Sequence, residues 1–216
     1  MNTPAQTIKV LVVDDHAVVR AGYRRLLEHA AGIVVVGEAE TGRIACQRYQ
    51  TLTPDVVIMD LSLPDMSGFE AIRYITARDQ EARVLVFSMH EDAAFVERAL
   101  EAGACGYVTK SSAPEVLVEA VQCVADGMCY LSPDVEHDVA AQKPAAAADP
   151  LRALSVREFE IFRLLAEGRT VSEIGTVLCL STKTVANYST QIRNKLGVAT
   201  NAELTRLAIR HRLLTP

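Results

Sequence analysis

No two of the five cysteines (Cys46, Cys105, Cys123, Cys129 and Cys179) form a Cys-x-x-Cys pair, and their number is odd. That speaks against a disulfide framework and against zinc-ligand spacing, and fits the reduced thiols of a cytosolic protein. No stretch approaches the roughly 18 consecutive apolar residues of a membrane-spanning helix. The opening MNTPAQTIKV lacks a charged segment followed by an apolar run. No signal peptide is expected, and the expected compartment is the cytoplasm, away from any membrane. A G-x-x-x-x-G-K-[ST] loop is also missing, which speaks against nucleotide chemistry of the P-loop kind.

What is present suffices for two domains: 216 residues, of which 50% are hydrophobic. Charge divides the chain. Residues 1–150 hold 12 Lys and Arg against 22 Asp and Glu, and residues 151–216 hold 10 against 5. A basic C-terminal part can meet a polyanion, although a balance of this size also fits an ordinary surface.

Short apolar runs at Ile8–Val13, Ile33–Val36, Val56–Met59, Val84–Phe87 and Gly106–Val108 alternate with amphipathic stretches. The latter are Ala17–His29, Arg43–Thr51, Phe69–Arg78, Ala93–Glu101 and Glu115–Ala125. The runs are rich in Val and Ile, which suit strands buried on both faces. Five β–α repeats predict an α/β domain over residues 1–130, a doubly wound (βα)5 parallel sheet with helices on both sides. The stretch SPDVEHDVAAQKPAAAADP has prolines near both ends and no amphipathic face, so residues 131–151 read as a linker. Residues 152–216 read as an all-α domain of four helices. Ser155 and Glu158 form a capping box, and Gly168 and Gly197 are helix stops. Thr170 or Val171, Ser181 or Thr182, and Thr200 or Asn201 open the second, third and fourth helices.

In a doubly wound sheet, functional groups gather beyond the C-terminal ends of the strands, near the switch in strand order. Asp14 and Asp15 follow the first strand and Asp60 the third. With strand order 2-1-3-4-5 these strands are neighbours and the three carboxylates converge. Such a cluster calls for a cation, and Mg²⁺ suits oxygen ligands and phosphate. Ser88 ends the fourth strand and Lys110 follows the fifth, bringing a hydroxyl and an ammonium to the same edge. Together these describe a phosphoryl site, with Asp60 as the nucleophile and Lys110 and Ser88 on the phosphoryl oxygens. Each Asp taken singly also suits a strand-end turn.

A short turn near Cys179–Ser181 separates the second and third C-terminal helices, as in a helix-turn-helix. Val185, Tyr188, Ile192 and Leu196 recur at helical spacing and are expected to face the core. Lys183, Thr184, Ala186, Asn187, Thr190, Gln191, Asn194 and Lys195 line the opposite face. Asn and Gln pair with adenine edges, and Thr and Ala touch thymine methyl groups. Lys183, Lys195, Arg169 and Arg193 offer charge to phosphates. The same face also suits the solvated side of a plain helical bundle.

The segments VVDDH (Val12–His16), VIMDLSLPDMSGFE (Val57–Glu70), VFSMH (Val86–His90) and GACGYVTK (Gly103–Lys110) resemble, in order, the flavodoxin-like receiver domain of two-component response regulators. Leu154–Val198 resembles the LuxR-type helix-turn-helix domain of their NarL/FixJ branch. The resemblance implies that Asp60 accepts a phosphoryl group from a sensor histidine kinase. It implies Mg²⁺ ligation by Asp15, Asp60 and the Ser62 carbonyl, with support from Asp14. It implies a switch in which Ser88 moves toward the phosphoryl group while the Tyr107 ring turns inward. The third C-terminal helix is then expected to enter the major groove of double-stranded DNA, and the fourth to help form a homodimer on activation. RNA polymerase is a further expected partner, and the chain is expected to regulate transcription, not to be an enzyme.

The chain departs from the family pattern in two places. Ser111 stands where many receivers have Pro. Ala186 and Tyr188 stand where many relatives have Lys and His, and basic residues near Ser189 and Gln191 are missing. A recognition helix this poor in charge predicts a shallower salt dependence of DNA binding than a Lys-rich relative shows. It also leaves, as the alternative, a helical domain that binds protein instead of DNA. A phosphatase of the haloacid-dehalogenase type is opposed by Ser62, where that type has a second Asp.

Overall fold

The computed structural model describes residues 7–91, 93–136, 150–178, 180–211 and 213–214. The chain divides into two compact units, Met1–Ala141 and Gln142–Pro216.

In the first unit the strands are β1 (Ile8–Val13), β2 (Ile33–Ala39), β3 (Val56–Met59), β4 (Val84–Ser88), β5 (Gly106–Thr109) and β6 (Tyr130–Leu131). The helices are α1 (Ala17–His29), α2 (Gly42–Leu52), α3 (Gly68–Thr76), α4 (Ala93–Glu101) and α5 (Pro114–Ala125). The sheet order is β2-β1-β3-β4-β5-β6, and every neighbouring pair is parallel. Val10, Val12, Val56, Ile58, Leu85 and Phe87 share one core with Leu27 of α1 and with Leu117, Val121 and Val124 of α5. The alternating strand residues Leu11, Val13, Val57, Met59, Val84 and Val86 are equally buried, and α2, α3 and α4 pack side by side. Burial on both faces explains why the strands read as unbroken apolar runs.

The sheet has six strands, one more than the sequence pattern predicts. Tyr130–Leu131 pairs with Gly106 and Tyr107, and a helical turn at 133–136 buries Val135. The first residues of the expected linker therefore pack as part of the first unit. A two-residue strand is too short for any periodicity to register. Residues 137–149 of that linker, including its alanine run, lie outside the described residues.

The second unit holds α6 (Val156–Ala166), α7 (Val171–Val177), α8 (Thr182–Leu196) and α9 (Asn201–Arg210), preceded by a 3₁₀ turn at Pro150–Ala153. Phe159, Phe162, Ile174, Val185, Ile192, Leu204 and Ala208 fill its core. Capping boxes open α6, α7 and α9, at Ser155–Glu158, Thr170–Glu173 and Thr200–Glu203. Gly175 admits the turn after α7, because a Cβ there would stand 2.8 Å from the Leu180 carbonyl oxygen. The buried stripe of α8 is Val185, Ser189 and Ile192, whereas Tyr188 and Leu196, expected in the core, are only half-buried. The 3.6-residue period carries the stripe from 185 to 189 to 192, which leaves position 188 on its flank.

Glu158 joins two elements. It caps α6 and its Oε2 lies 2.6 Å from the Lys195 ammonium of α8. Burial pushes its carboxyl up, but the Lys195 ammonium and the amide and hydroxyl of Ser155 more than offset this and hold it below the usual carboxylate range. A depressed carboxyl stabilises the fold at neutral pH and loses that contribution as the pH falls through its folded value. Ser155→Ala is therefore expected to cost about 1 kcal/mol at pH 7 in urea unfolding, with the cost shrinking below about pH 4. A cost unchanged by pH would separate the serine cap from the charge of Glu158.

Candidate functional site

The β1–β3 register pairs Val13 with Met59, so Asp14 and Asp60 leave the sheet side by side at the point where strand order reverses. The β4–β5 register pairs Ser88 with Thr109 and sets Lys110 just beyond the edge. Backbone bonds from Asp60 N to Val13 O (3.0 Å) and from Lys110 N to Ser88 O (2.8 Å) carry the order one residue further. The Lys110 ammonium then lies 2.6 Å from Asp14 Oδ2 and 2.7 Å from Asp60 Oδ2. All three groups are largely buried. Burial raises the Asp60 carboxyl above its usual range; Lys110 opposes the shift and the neighbouring Asp14 charge adds to it. Burial alone would lower Lys110, but the two carboxylates outweigh it and keep the ammonium charged.

Asp15 is more open, with Oδ1 2.6 Å from His16 Nδ1. Ligand atoms of Asp14, Asp15 and His16 lie within 4.8 Å of one another. Lys110 takes the Oδ2 side of Asp14 and Asp60, while Asp60 Oδ1 accepts from Ser62 N at 3.3 Å. The groups gathered at this edge are thus mainly carboxylate oxygens, the ligands that a hard cation such as Mg²⁺ favours, with the His16 imidazole beside them.

Ser88 and Tyr107 are both fully buried. Ser88 Oγ accepts from His90 N at 3.3 Å, and the Tyr107 hydroxyl donates to the His90 carbonyl at 2.7 Å. The backbone of one residue therefore holds both expected switch side chains. His90 has no role among the residues expected from the sequence; its ring stacks on Phe95 with centroids 4.0 Å apart and its Nε2 lies 3.4 Å from Ser62 Oγ. Its place two residues after Ser88 was the available signal.

On α8, Lys183, Ala186, Asn187, Thr190, Gln191 and Lys195 are exposed and Thr184 is half-buried. The polar face forms, but two of the cations expected to offer charge to phosphates are engaged within the fold. The Lys195 ammonium is held by Glu158. Arg193 is similarly occupied, donating to Asn201 Oδ1 at 2.9 Å. This leaves Lys183 and the three amides, Asn187, Gln191 and Asn194, among the exposed polar ends of the helix.

Residues 10–122 match the response regulator receiver domain family. The chain belongs to the response regulators. Residues 152–208 of this response regulator match the luxR family of bacterial regulatory proteins. The response regulator UvrY of Escherichia coli is 39% identical over 208 residues, covering 95% of each chain. The response regulator GacA of Pseudomonas aeruginosa is 39% identical over 206 residues, covering 94% of this chain and 96% of its own. Among solved structures, RcsB of Salmonella enterica serovar Typhimurium, bound to a promoter in the presence of the phosphomimetic BeF3⁻, is 29% identical with a TM-score of 0.67. That match covers 94% of this chain and 98% of RcsB. A LuxR-family response regulator from Aurantimonas is 46% identical over 64% of this chain and 99% of its own, with a TM-score of 0.63. The chain is thus a DNA-binding transcriptional regulator of a two-component system, of the NarL/FixJ type.

Proposed function

We propose that Asp60 is the phosphoryl acceptor and that its phosphorylation by a sensor histidine kinase controls dimerisation and DNA binding. The observation that carries this reading is the bridging of Asp14 and Asp60 by the Lys110 ammonium. A phosphoryl group on Asp60 adds negative charge beside that ammonium, so Lys110 gains a new partner and its present ion pairs rearrange. Asp15, Asp60 and the Ser62 carbonyl would hold Mg²⁺, with Asp14 supporting the site. The ion supplies neutralisation of the phosphoryl oxygens. Lys110 positions the group, and Ser88 and Tyr107, joined through His90, report its presence to the rest of the domain. Phosphoryl acceptance here is switching, not turnover.

Lys183, Thr184, Ala186, Asn187, Thr190 and Gln191 form the DNA face, with Lys195 at its far end. The proposed boundaries are a receiver at 1–130, a linker at 131–151 and the DNA-binding domain at 152–216, with β6 extending the packed receiver into the linker. RNA polymerase is a further partner. Among the described residues no helix is long and apolar enough to cross a membrane, and the proposed compartment is the cytoplasm.

The test is selection from a random duplex pool with and without BeF3⁻ and Mg²⁺. Enrichment of a paired half-site mainly in the BeF3⁻ sample supports the reading; no enrichment in either sample favours the protein-binding alternative. With the selected duplex, Lys183→Ala is expected to weaken all sequences alike and to lower the salt slope by about 1 per protomer. Asn187→Ala is expected to leave the slope unchanged and to relax preference at one base pair. A slope as steep as that of Lys-rich relatives would contradict the reading of α8 as charge-poor.

A further inference from the structure

The segment that leaves the receiver is tied back to the strand that immediately precedes the phosphoryl-site lysine. β6 pairs with Gly106 and Tyr107, and Ser132 N donates to the Tyr107 carbonyl at 2.9 Å. In the turn that follows, Asp134 Oδ2 accepts from the Thr109 hydroxyl at 2.5 Å, and both its oxygens receive the Ser112 hydroxyl at 3.3 and 3.4 Å. Thr109 is fully buried and also meets Ser111 Oγ and Ser112 Oγ at 2.9 Å. The next residue is Lys110, whose ammonium lies between Asp14 and Asp60. Burial pushes the Asp134 carboxyl up, yet the hydroxyls around it bring it below its usual range, so it is an ionised acceptor. Hydrogen bonds to an ionised acceptor are the stronger kind.

We infer that Asp134 is a positioning residue that couples the phosphoryl site to the interdomain segment through Thr109. The inference rests on the phosphoryl-switch reading above. One residue, Thr109, separates the group that gains a partner on phosphorylation from the carboxylate that anchors the departing chain. A rearrangement of Lys110 moves the β5 end, and the Asp134–Thr109 bond hands that movement to residues 130–136. Coupling of this kind is a free energy shared between two sites, and cutting the link removes it without removing either site.

The experiment compares wild type, Asp134→Ala, Thr109→Val, the double variant and Thr109→Ser, all as full-length chains. Calorimetry reads Mg²⁺-dependent BeF3⁻ binding, and a duplex recovered by the pool selection reads DNA affinity with and without BeF3⁻. The wild-type DNA enhancement is expected to be about 5- to 150-fold. Asp134→Ala and Thr109→Val should still bind BeF3⁻ but bring the enhancement to within about twofold of none. The double variant should lose no more than either single one, because both cut the same link. Thr109→Ser keeps the hydroxyl and should keep the enhancement. Full enhancement in Asp134→Ala overturns the inference. So does loss in Asp134→Ala with full enhancement in Thr109→Val, which makes Asp134 a local turn cap. A variant that no longer binds BeF3⁻ overturns it as well, because the carboxylate then builds the phosphoryl site itself. Wild type that binds BeF3⁻ with unchanged DNA affinity overturns the switch reading, and the inference with it.

Discussion

A Gly68→Ala protein is expected to lose about 3 kcal/mol in urea unfolding and to bind BeF3⁻ poorly. Gly68 opens α3, and its amide donates to the Leu61 carbonyl at 3.0 Å. A Cβ at this position would overlap the Asp60 carbonyl oxygen and stand 2.7 Å from Leu61 Cα. Both obstacles are backbone, so no rotamer change relieves them, and either α3 or the segment carrying Asp60 to Ser62 must move. The capping box of Ser67 and Glu70 and the burial of Phe69 and Ile72 hold α3 in place. The movement therefore falls partly on the phosphoryl site. Gly22 is the control. It lies in α1 with nothing within 4 Å of a built Cβ, so Gly22→Ala should stabilise by about 1 kcal/mol through helix propensity alone. Equal stability of Gly68→Ala and wild type would refute the close-approach argument.

Asp60→Asn is expected to abolish BeF3⁻-dependent DNA binding and, in EDTA at pH 7, to raise stability. The two effects have different causes. Loss of switching follows from loss of the proposed acceptor carboxylate and of a proposed Mg²⁺ ligand. The gain follows from burial, which raises the Asp60 carboxyl above its ordinary value despite Lys110. A carboxyl raised on folding costs stability above its folded value, and the cost vanishes as the pH falls through the ordinary one. The gain should thus disappear below about pH 4. The Asn side-chain oxygen still offers Lys110 an acceptor, so the ion-pair geometry around Asp14 is retained. A variant that keeps its BeF3⁻ response would remove Asp60 from the acceptor role. One that is less stable at pH 7 would mean the Lys110 pair outweighs the cost of burial.

The β–α repeats were legible because strands buried on both faces leave unbroken apolar runs, and the helices between them keep a clear apolar stripe. Asp14, Asp60 and Lys110 were legible as a cluster because each sits within two residues of the end of such a run, where parallel strands present their ends together. The α8 face was legible in outline, but its cations were not. Lys195 is the clearest case: spacing places it on the outward side, and only packing against α6 shows Glu158 holding its ammonium. Ser189 entered the core in place of Tyr188 because a shift of one residue, about a quarter of a turn of helix phase, depends on which neighbour the helix meets.

The order of residues alone therefore determined the two-domain plan, the edge of the sheet at which Asp14, Asp60 and Lys110 meet, and the helix whose polar face is exposed. These follow from periodicity, strand ends and local caps, all of which act within a few residues along the chain. The tertiary structure decided the sixth strand, the meeting of Ser88 and Tyr107 at the His90 backbone, and the tie between Asp134 and Thr109. Each of these joins positions between 2 and 25 residues apart through single hydrogen bonds or a two-residue pairing. Contacts of that kind leave no period in a sequence, because they depend on where the folded backbone brings two groups and not on the spacing between them.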